Sequence, residues 1–329
     1  MSKTIIRHDG AHINIKFFAD DPSASKPIHR LPQSPAQRKT SAKHSVLEQA
    51  MQQLDQLVGL ENVKKFIYEI YAWLYVTKKR QEMGLRTVPQ TLHMIFKGNP
   101  GTGKTTVARI LGHMFREIGI LEKGHLVEVE RGDLVGEYIG HTAIKTREIV
   151  KKALGGVLFI DEAYSLARGG DKDFGKEAID CLVKAMEDYR EQFILILAGY
   201  PREMEYFLNT NPGLPSRFPI ILTFNNYTIA ELLLIADLMV KEREYKMTLA
   251  ARNKLRQLLE EEKRYNPTNF SNARLVRNLI EQAIREHAVR LINSDLPSKE
   301  DLMTLTAEDF SQCREQETNL RQLVSRNYF

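Results

Sequence analysis

Long apolar runs are missing from this chain. No stretch approaches the roughly 20 residues needed to cross a bilayer, and the N-terminus lacks the layout of a secretory signal. These two absences predict a cytoplasmic protein with no membrane partner. Cysteine is scarce too: Cys181 and Cys313 are the two in 329 residues, far apart and without a C-x-x-C pairing. That excludes a disulfide framework and points to a reducing compartment with inert thiols. His113, His125 and His141 have no metal-ligand spacing, and no Ser-His-Asp or Cys-His set stands out. Nor does the folded part carry a charge surplus. The formal charge is +5, but residues 1–45 hold Lys3, Arg7, Lys16, Lys26, Arg30, Arg38, Lys39 and Lys43 against Asp9, Asp20 and Asp21, which is the whole excess. The balanced remainder has no basic surplus for nucleic acid, so nucleic acid is not expected as a partner.

What is there suits a two-domain α/β protein. The length allows a large core and a second domain, and the apolar and charged fractions, 43% and 27%, are ordinary. Residues 1–45 include Pro22, Pro27, Pro32 and Pro35, and 20–43 read as a disordered linker. Residues 13–18 alternate weakly, as a loose tail or as a segment that docks on a partner. Residues 45–84 read as helix in two pieces, broken near Val58-Gly59, with Phe66, Ile67, Ile70, Trp73 and Leu74 forming an apolar stripe. Strands are then expected at 92–97, 126–130, 157–161, 193–198 and 220–224, with helices between them, notably at 143–154 and 176–189. Strands alternating with helices predict a parallel sheet covered on both faces. Beyond Phe224 the strands stop. Helices are expected at 228–243, 249–262 and 272–293, then a short element at 303–306 and a helix from about Ala307. The resulting division is an extension at 1–45, a large domain at 46–225, a helical domain at 226–312 and a tail at 313–329.

The centre of this plan is Gly98-Asn99-Pro100-Gly101-Thr102-Gly103-Lys104-Thr105-Thr106, which fits G-x-x-x-x-G-K-[ST] at every fixed position. Glycines let consecutive backbone N–H groups converge on an anion. A helix starting at about Gly103 turns its positive end to the same place. Lys104 supplies a mobile positive charge for β- and γ-phosphates and Thr105 a hydroxyl for Mg²⁺. The second anchor is Val157-Leu158-Phe159-Ile160-Asp161-Glu162. Two carboxylates leave a buried strand at its C-terminal end, where open α/β sheets bind ligands. Asp161 is placed to hold Mg²⁺ through water, and Glu162 to orient and polarise an attacking water. ATP and Mg²⁺ are therefore the expected substrate and cofactor, and the expected reaction is hydrolysis of ATP to ADP and phosphate.

These two motifs with a trailing helical domain resemble the AAA+ ATPases, over about residues 46–312. The fold implied is a P-loop module with a parallel five-stranded sheet flanked by helices, followed by a mainly helical lid. The resemblance further implies an arginine finger at Arg217, in Ser216-Arg217-Phe218, reaching the γ-phosphate of a neighbouring subunit. It places Arg274 at the second-sensor position, with Arg277 one turn on, and Val58-Gly59 at the adenine bracket. Leu134-Val135-Gly136-Glu137-Tyr138-Ile139-Gly140 is similar to an aromatic pore loop, and 167–175 to a second one. Tyr200 stands where the family more often has Asn or Thr as first sensor; a phenol can still donate there. MIFKGNPGTGKTTVAR at 94–109, DLVGEYIGHT at 133–142 and FIDEAYSL at 159–166 resemble the red-type Rubisco activase branch. EIYAW at 69–73 and KDFGKEAID at 172–180 are similar to a sporulation member of that branch. The implied protein is a homo-oligomer, a hexameric ring remodelling a protein client, either in spore maturation or on Rubisco. A nucleic-acid motor and a non-hydrolysing scaffold are the rival classes.

Overall fold

The computed structural model describes residues 52–88, 91–138, 140–169, 173–211, 213–292 and 296–311, with two short strands near the N-terminus. The backbone divides into Met1–Ala42 and Lys43–Phe329. In the first unit the described part is His8–Asp9 paired antiparallel with His12–Ile13. The remainder of the extension expected at 1–45, including 14–18, and the tail at 313–329 lie outside the described residues.

The second unit is built on five parallel strands: β1 (Met94–Gly98), β2 (Leu126–Val129), β3 (Val157–Ile160), β4 (Ile194–Gly199) and β5 (Ile220–Phe224). Their order is β2-β3-β4-β1-β5. Met94 stands opposite Ile196 and Ile220, and Ile160 opposite Leu197. β3 and β4 are buried along their whole length, as continuous apolar runs require when both faces are covered. Successive side chains leave opposite faces. Met94, Phe96, Val157 and Phe159 join one core with α1 (Glu61–Glu82) and α2 (Lys104–Ile118). Ile95, Leu158 and Ile160 join the other, with α3 (His141–Ala153), α4 (Gly175–Asp188) and α5 (Pro201–Thr210). α3 starts two residues before its expected boundary. Thr142 is buried there and its hydroxyl accepts from the Gly136 N–H at 2.9 Å, which pins the first turn.

The helical part comprises α6 (Ile229–Glu242), α7 (Leu249–Tyr265) and α8 (Asn272–Ile292) around Leu232, Leu255, Val276, Ile280 and Phe310. Thr228 and Glu231 form a reciprocal cap at the start of α6, each accepting from the other's backbone N–H. A parallel pair of two-residue strands, β6 (Lys246–Met247) and β7 (Thr304–Leu305), closes this part. The helix expected from Ala307 is a single 3₁₀ turn, Glu308–Phe310, through the described residues. Asp309 is tied there to the Thr306 N–H at 2.7 Å and to Arg290 at 2.8 Å.

His93 enters β1 with 1% exposure. Its Nδ1 accepts from the Leu195 N–H at 3.0 Å, between the rings of Phe193 and Phe218. The imidazole is therefore neutral, with its proton on Nε2. Burial, with Arg190 adding to it, lowers the pKa from 6.5 to about 4. A folded-state value below the unfolded one gives stability that is full above pH 6.5 and is lost as pH falls toward 4. The loss approaches about 1.4 kcal/mol per pH unit within that window. Thermal unfolding is expected to show a fall in Tm between pH 7 and 5 that is shallower in His93→Gln. An equal slope in that variant would assign the loss to other groups.

Candidate nucleotide site

The loop between β1 and α2 is shaped by backbone approach. Gly101 has φ +67° and Gly103 φ +94°, in the left-handed region that glycine enters without strain. A Cβ at Gly101 would stand 2.4 Å from the Ser271 carbonyl oxygen and 2.6 Å from the Arg274 nitrogen. Thr102 is buried, and its hydroxyl donates to the Asn99 carbonyl at 2.8 Å. Lys104 is the first residue of α2, and its Nζ donates to the carbonyls of Gly98 at 2.8 Å and Asn99 at 3.0 Å. Burial holds its pKa below the ordinary lysine value; Asp161 opposes that shift and Arg274 adds to it. The Thr105 hydroxyl donates to Glu128 on β2 at 3.2 Å.

β3 delivers the acid pair to the same edge of the sheet. The Asp161 N–H donates to the Val129 carbonyl at 3.0 Å, which fixes the strand end. Glu162 has φ +46°, and its N–H donates to Asp161 Oδ1 at 3.0 Å. A cleft of about 330 Å³ brings together Pro100, Gly101, Gly103, Lys104, Thr105, Thr106, Asp161, Glu162 and Arg274. Tyr200 and Arg277 border it as well. Burial first, and Glu162 next, push the Tyr200 phenol up. The Tyr164 ring lies 5.9 Å from that of Tyr200, and its hydroxyl is raised by the same two influences.

Other expected site residues stand apart from the cleft lining. Asn99 and Thr102 shape the loop from behind. Gly59, φ +63°, backs onto Glu231 and Tyr227 of the helical part, and Val58 precedes it. Neighbouring Leu60 borders a separate cavity of about 270 Å³ with Asn226 and Tyr227. Arg217 lies in the turn Pro215–Arg217, donating to the Gly213 carbonyl at 2.8 Å and to Glu187 at 2.6 Å. It shares a cavity with Thr91 and His93, at the start of β1, whereas the phosphate loop follows the end of that strand. The two sites are thus separated by roughly 17 Å of extended chain. Tyr138 is 65% exposed, its ring edge-on to His141 at 5.4 Å. Its neighbour Ile139 lies outside the described residues, as do 170–172 of the loop at 167–175. Arg131 anchors that loop at Asp173, 2.6 Å away, and at the Ser165 carbonyl, 2.7 Å away.

Two acids escaped sequence reasoning. Glu130 borders the cleft, and Glu128 contacts Thr105. Their position at the carboxyl end of a parallel strand is the signal that could have found them.

The cleft fits a nucleoside polyphosphate, with a glycine-shaped loop, a buried lysine and a helix start converging on it. It fits Mg²⁺ in a particular way. Among the described residues no three His, Cys, Asp or Glu gather as a metal cage. The oxygens of Thr105 and Asp161 suit a hard cation shared with phosphates and water. Residues 94–226 match the model of the ATPase family associated with various cellular activities (AAA), and 228–320 match the AAA lid domain. Stage V sporulation protein K of Bacillus subtilis (strain 168) is 57% identical over 277 residues, covering 84% of this chain and 86% of that protein. The chain belongs to the AAA ATPase family. A chloroplastic ribulose bisphosphate carboxylase/oxygenase activase of Cyanidioschyzon merolae is 43% identical to this AAA ATPase, over 84% of the chain and 94% of the relative. Among solved structures, the FIGL-1 AAA domain in complex with ADP has a TM-score of 0.56 and 19% identity, over 83% of this chain and 89% of that one. That likeness shows the fold alone.

The AAA ATPase binds and hydrolyses ATP, so the close approach at Gly101 has a measurable consequence. Gly101→Ala is expected to weaken binding of a fluorescent ADP analogue by at least about tenfold, from the strain of a Cβ at positive φ and its clash with α8. Its Tm is expected to fall by no more than a few degrees, because the loop can give way locally without opening either sheet core. Wild-type affinity in that titration would show that the loop tolerates a Cβ.

Proposed function

We propose that this AAA ATPase remodels a protein client as a homo-oligomeric ring, hexameric and cytoplasmic, in spore maturation. Residues 46–225 act as the ATP-binding domain, 226–312 as the lid, and 1–45 and 313–329 as extensions. Lys104 and the loop amides hold the β- and γ-phosphates of ATP. Thr105, directly, and Asp161, through water, would hold Mg²⁺. Bound there, the ion would supply positive charge against the phosphate oxygens. Glu162 orients the attacking water and accepts its proton. Arg274 contacts the nucleotide from the lid. Val58 and Gly59 bracket the base, and Tyr200 donates to the γ-phosphate side. Arg217 completes the cleft of the neighbouring subunit; its distance from its own cleft supports that role.

The observation that carries the remodelling reading is Tyr138, a ring 65% exposed between Gly136 and Gly140. An exposed aromatic on a glycine-flanked loop suits a grip on a passing chain. With Ile139 it forms the proposed pore loop, moved by hydrolysis. The sporulation reading draws support from the name of the 57% relative. Rubisco as client is the second reading, drawn from the activase at 43%.

Glu162→Gln is expected to bind ATP and lower turnover by about 10²–10⁴-fold. Mixed with Arg217→Ala subunits, it is expected to recover part of the activity, because each variant supplies what the other lacks. No recovery at any mixing ratio would remove the trans role. Glu162→Gln assemblies are also expected to retain client, identifiable by mass spectrometry. Adding Tyr138→Ala should release it; undiminished retention would place the grip elsewhere. Rubisco in the trapped fraction would favour the second reading.

A further inference from the structure

Asn272 opens α8 and has no part in the roles above. Its side chain is fully buried, and its φ of +46° is left-handed, which asparagine tolerates better than most residues. It does not cap its own helix. The Arg274 and Leu275 N–H groups go to the Ser271 carbonyl instead, at 3.0 and 3.4 Å. The Asn272 amide nitrogen faces the carbonyl oxygens of Pro100 at 3.2 Å and Phe270 at 2.8 Å, and Asn226 Oδ1 at 2.9 Å. Its Oδ1 accepts from the Tyr227 N–H at 2.9 Å. One carboxamide thus touches the phosphate loop, the link between sheet and lid, and the segment leading into α8.

Two neighbouring bonds run the same way. The Ala273 N–H donates to the Gly101 carbonyl at 3.2 Å, and the Tyr227 hydroxyl donates to the Thr102 carbonyl at 3.3 Å. Three consecutive loop carbonyls are therefore held by groups from beyond β5. Asn99 extends the network by donating to Asn226 at 3.0 Å.

We infer that Asn272 is a positioning residue that registers the phosphate loop on the lid, so that the loop's gripping shape and the lid's position form one equilibrium. The inference rests on the nucleotide site described above. Amides that converge on phosphate oblige the loop carbonyls to face outward, and Asn272 sets how those carbonyls meet α8. Loss of the carboxamide frees both elements together. Nucleotide then has to order the loop and the lid as it binds, which lowers affinity more than it slows the chemical step.

Full-length Asn272→Gly tests this, because glycine keeps the left-handed backbone while removing the side chain that carries the carboxamide. Asn272→Asp is the isosteric companion; it sets a carboxylate against three oxygens. The readouts are the affinity for a fluorescent ADP analogue, the split between kcat and KM for ATP, amide hydrogen exchange in 98–103, and Tm. For Asn272→Gly an affinity loss of about tenfold is expected, a KM rise exceeding any fall in kcat, and faster exchange in 98–103. Tm is expected within about 4 °C of wild type. Asn272→Asp is expected to lose more affinity. Wild-type affinity and exchange in a folded Asn272→Gly would overturn the inference, as would a loss that merely tracks the unfolded fraction. Wild type and Lys104→Ala run alongside: failure of wild type itself to bind would refute the nucleotide site rather than the role of Asn272.

Discussion

A loop that turns its amides toward one centre must turn its carbonyls away from it, and those carbonyls need donors. Much of this chain is arranged around that constraint. The carbonyls of Gly98 and Asn99 receive the Lys104 ammonium, and Asn99 also receives the Thr102 hydroxyl. Those of Pro100, Gly101 and Thr102 receive Asn272, Ala273 and Tyr227. The sheet supplies the platform, and the chain beyond β5 supplies the donors. The helical part is thus part of the loop's own hydrogen bonding as well as a cover for the cleft.

Departures from relaxed backbone gather at the same place. Among the described residues, four non-glycine positions have positive φ: Leu60, Glu162, Glu244 and Asn272. Glu162 borders the cleft, Asn272 holds its loop, and Leu60 borders the neighbouring cavity beside Tyr227. Such conformations persist where surrounding contacts over-determine them. The two tyrosines near Glu162 add to this. Both phenols are pushed up, by burial first and by Glu162 next, and so stay protonated beside that carboxylate.

The sheet was legible in the sequence because its strands are continuous apolar runs, and β1, β3 and β5 fall within two residues of their expected ends. That Lys104, Thr105, Asp161 and Glu162 line one cleft was legible because each belongs to a contiguous motif whose chemistry dictates its spacing. Glu128, Glu130 and Asn272 were not, since their contacts depend on which strand lies beside which and on where α8 docks. β6 and β7 are too short to carry a periodicity. The early start of α3 depends on the buried Thr142 hydroxyl, a contact without a periodic signal. The relation of Arg217 to its own cleft also needed the topology: adjacency of β5 to β1 is what sets the two at opposite ends of one strand.

That opposition has a consequence for assembly. Two copies related by a twofold axis juxtapose like faces, arginine end to arginine end or cleft to cleft. A contact that inserts Arg217 of one copy into the cleft of the next joins unlike faces, and is therefore heterologous. Each copy then keeps one unused donor end and one unused acceptor end, so the chain of contacts terminates only by closing on itself. In the single chain, Glu187 holds the Arg217 guanidinium at 2.6 Å. In the proposed ring, joining the next copy would exchange Glu187 for the nucleotide's phosphates as the anionic partner of Arg217.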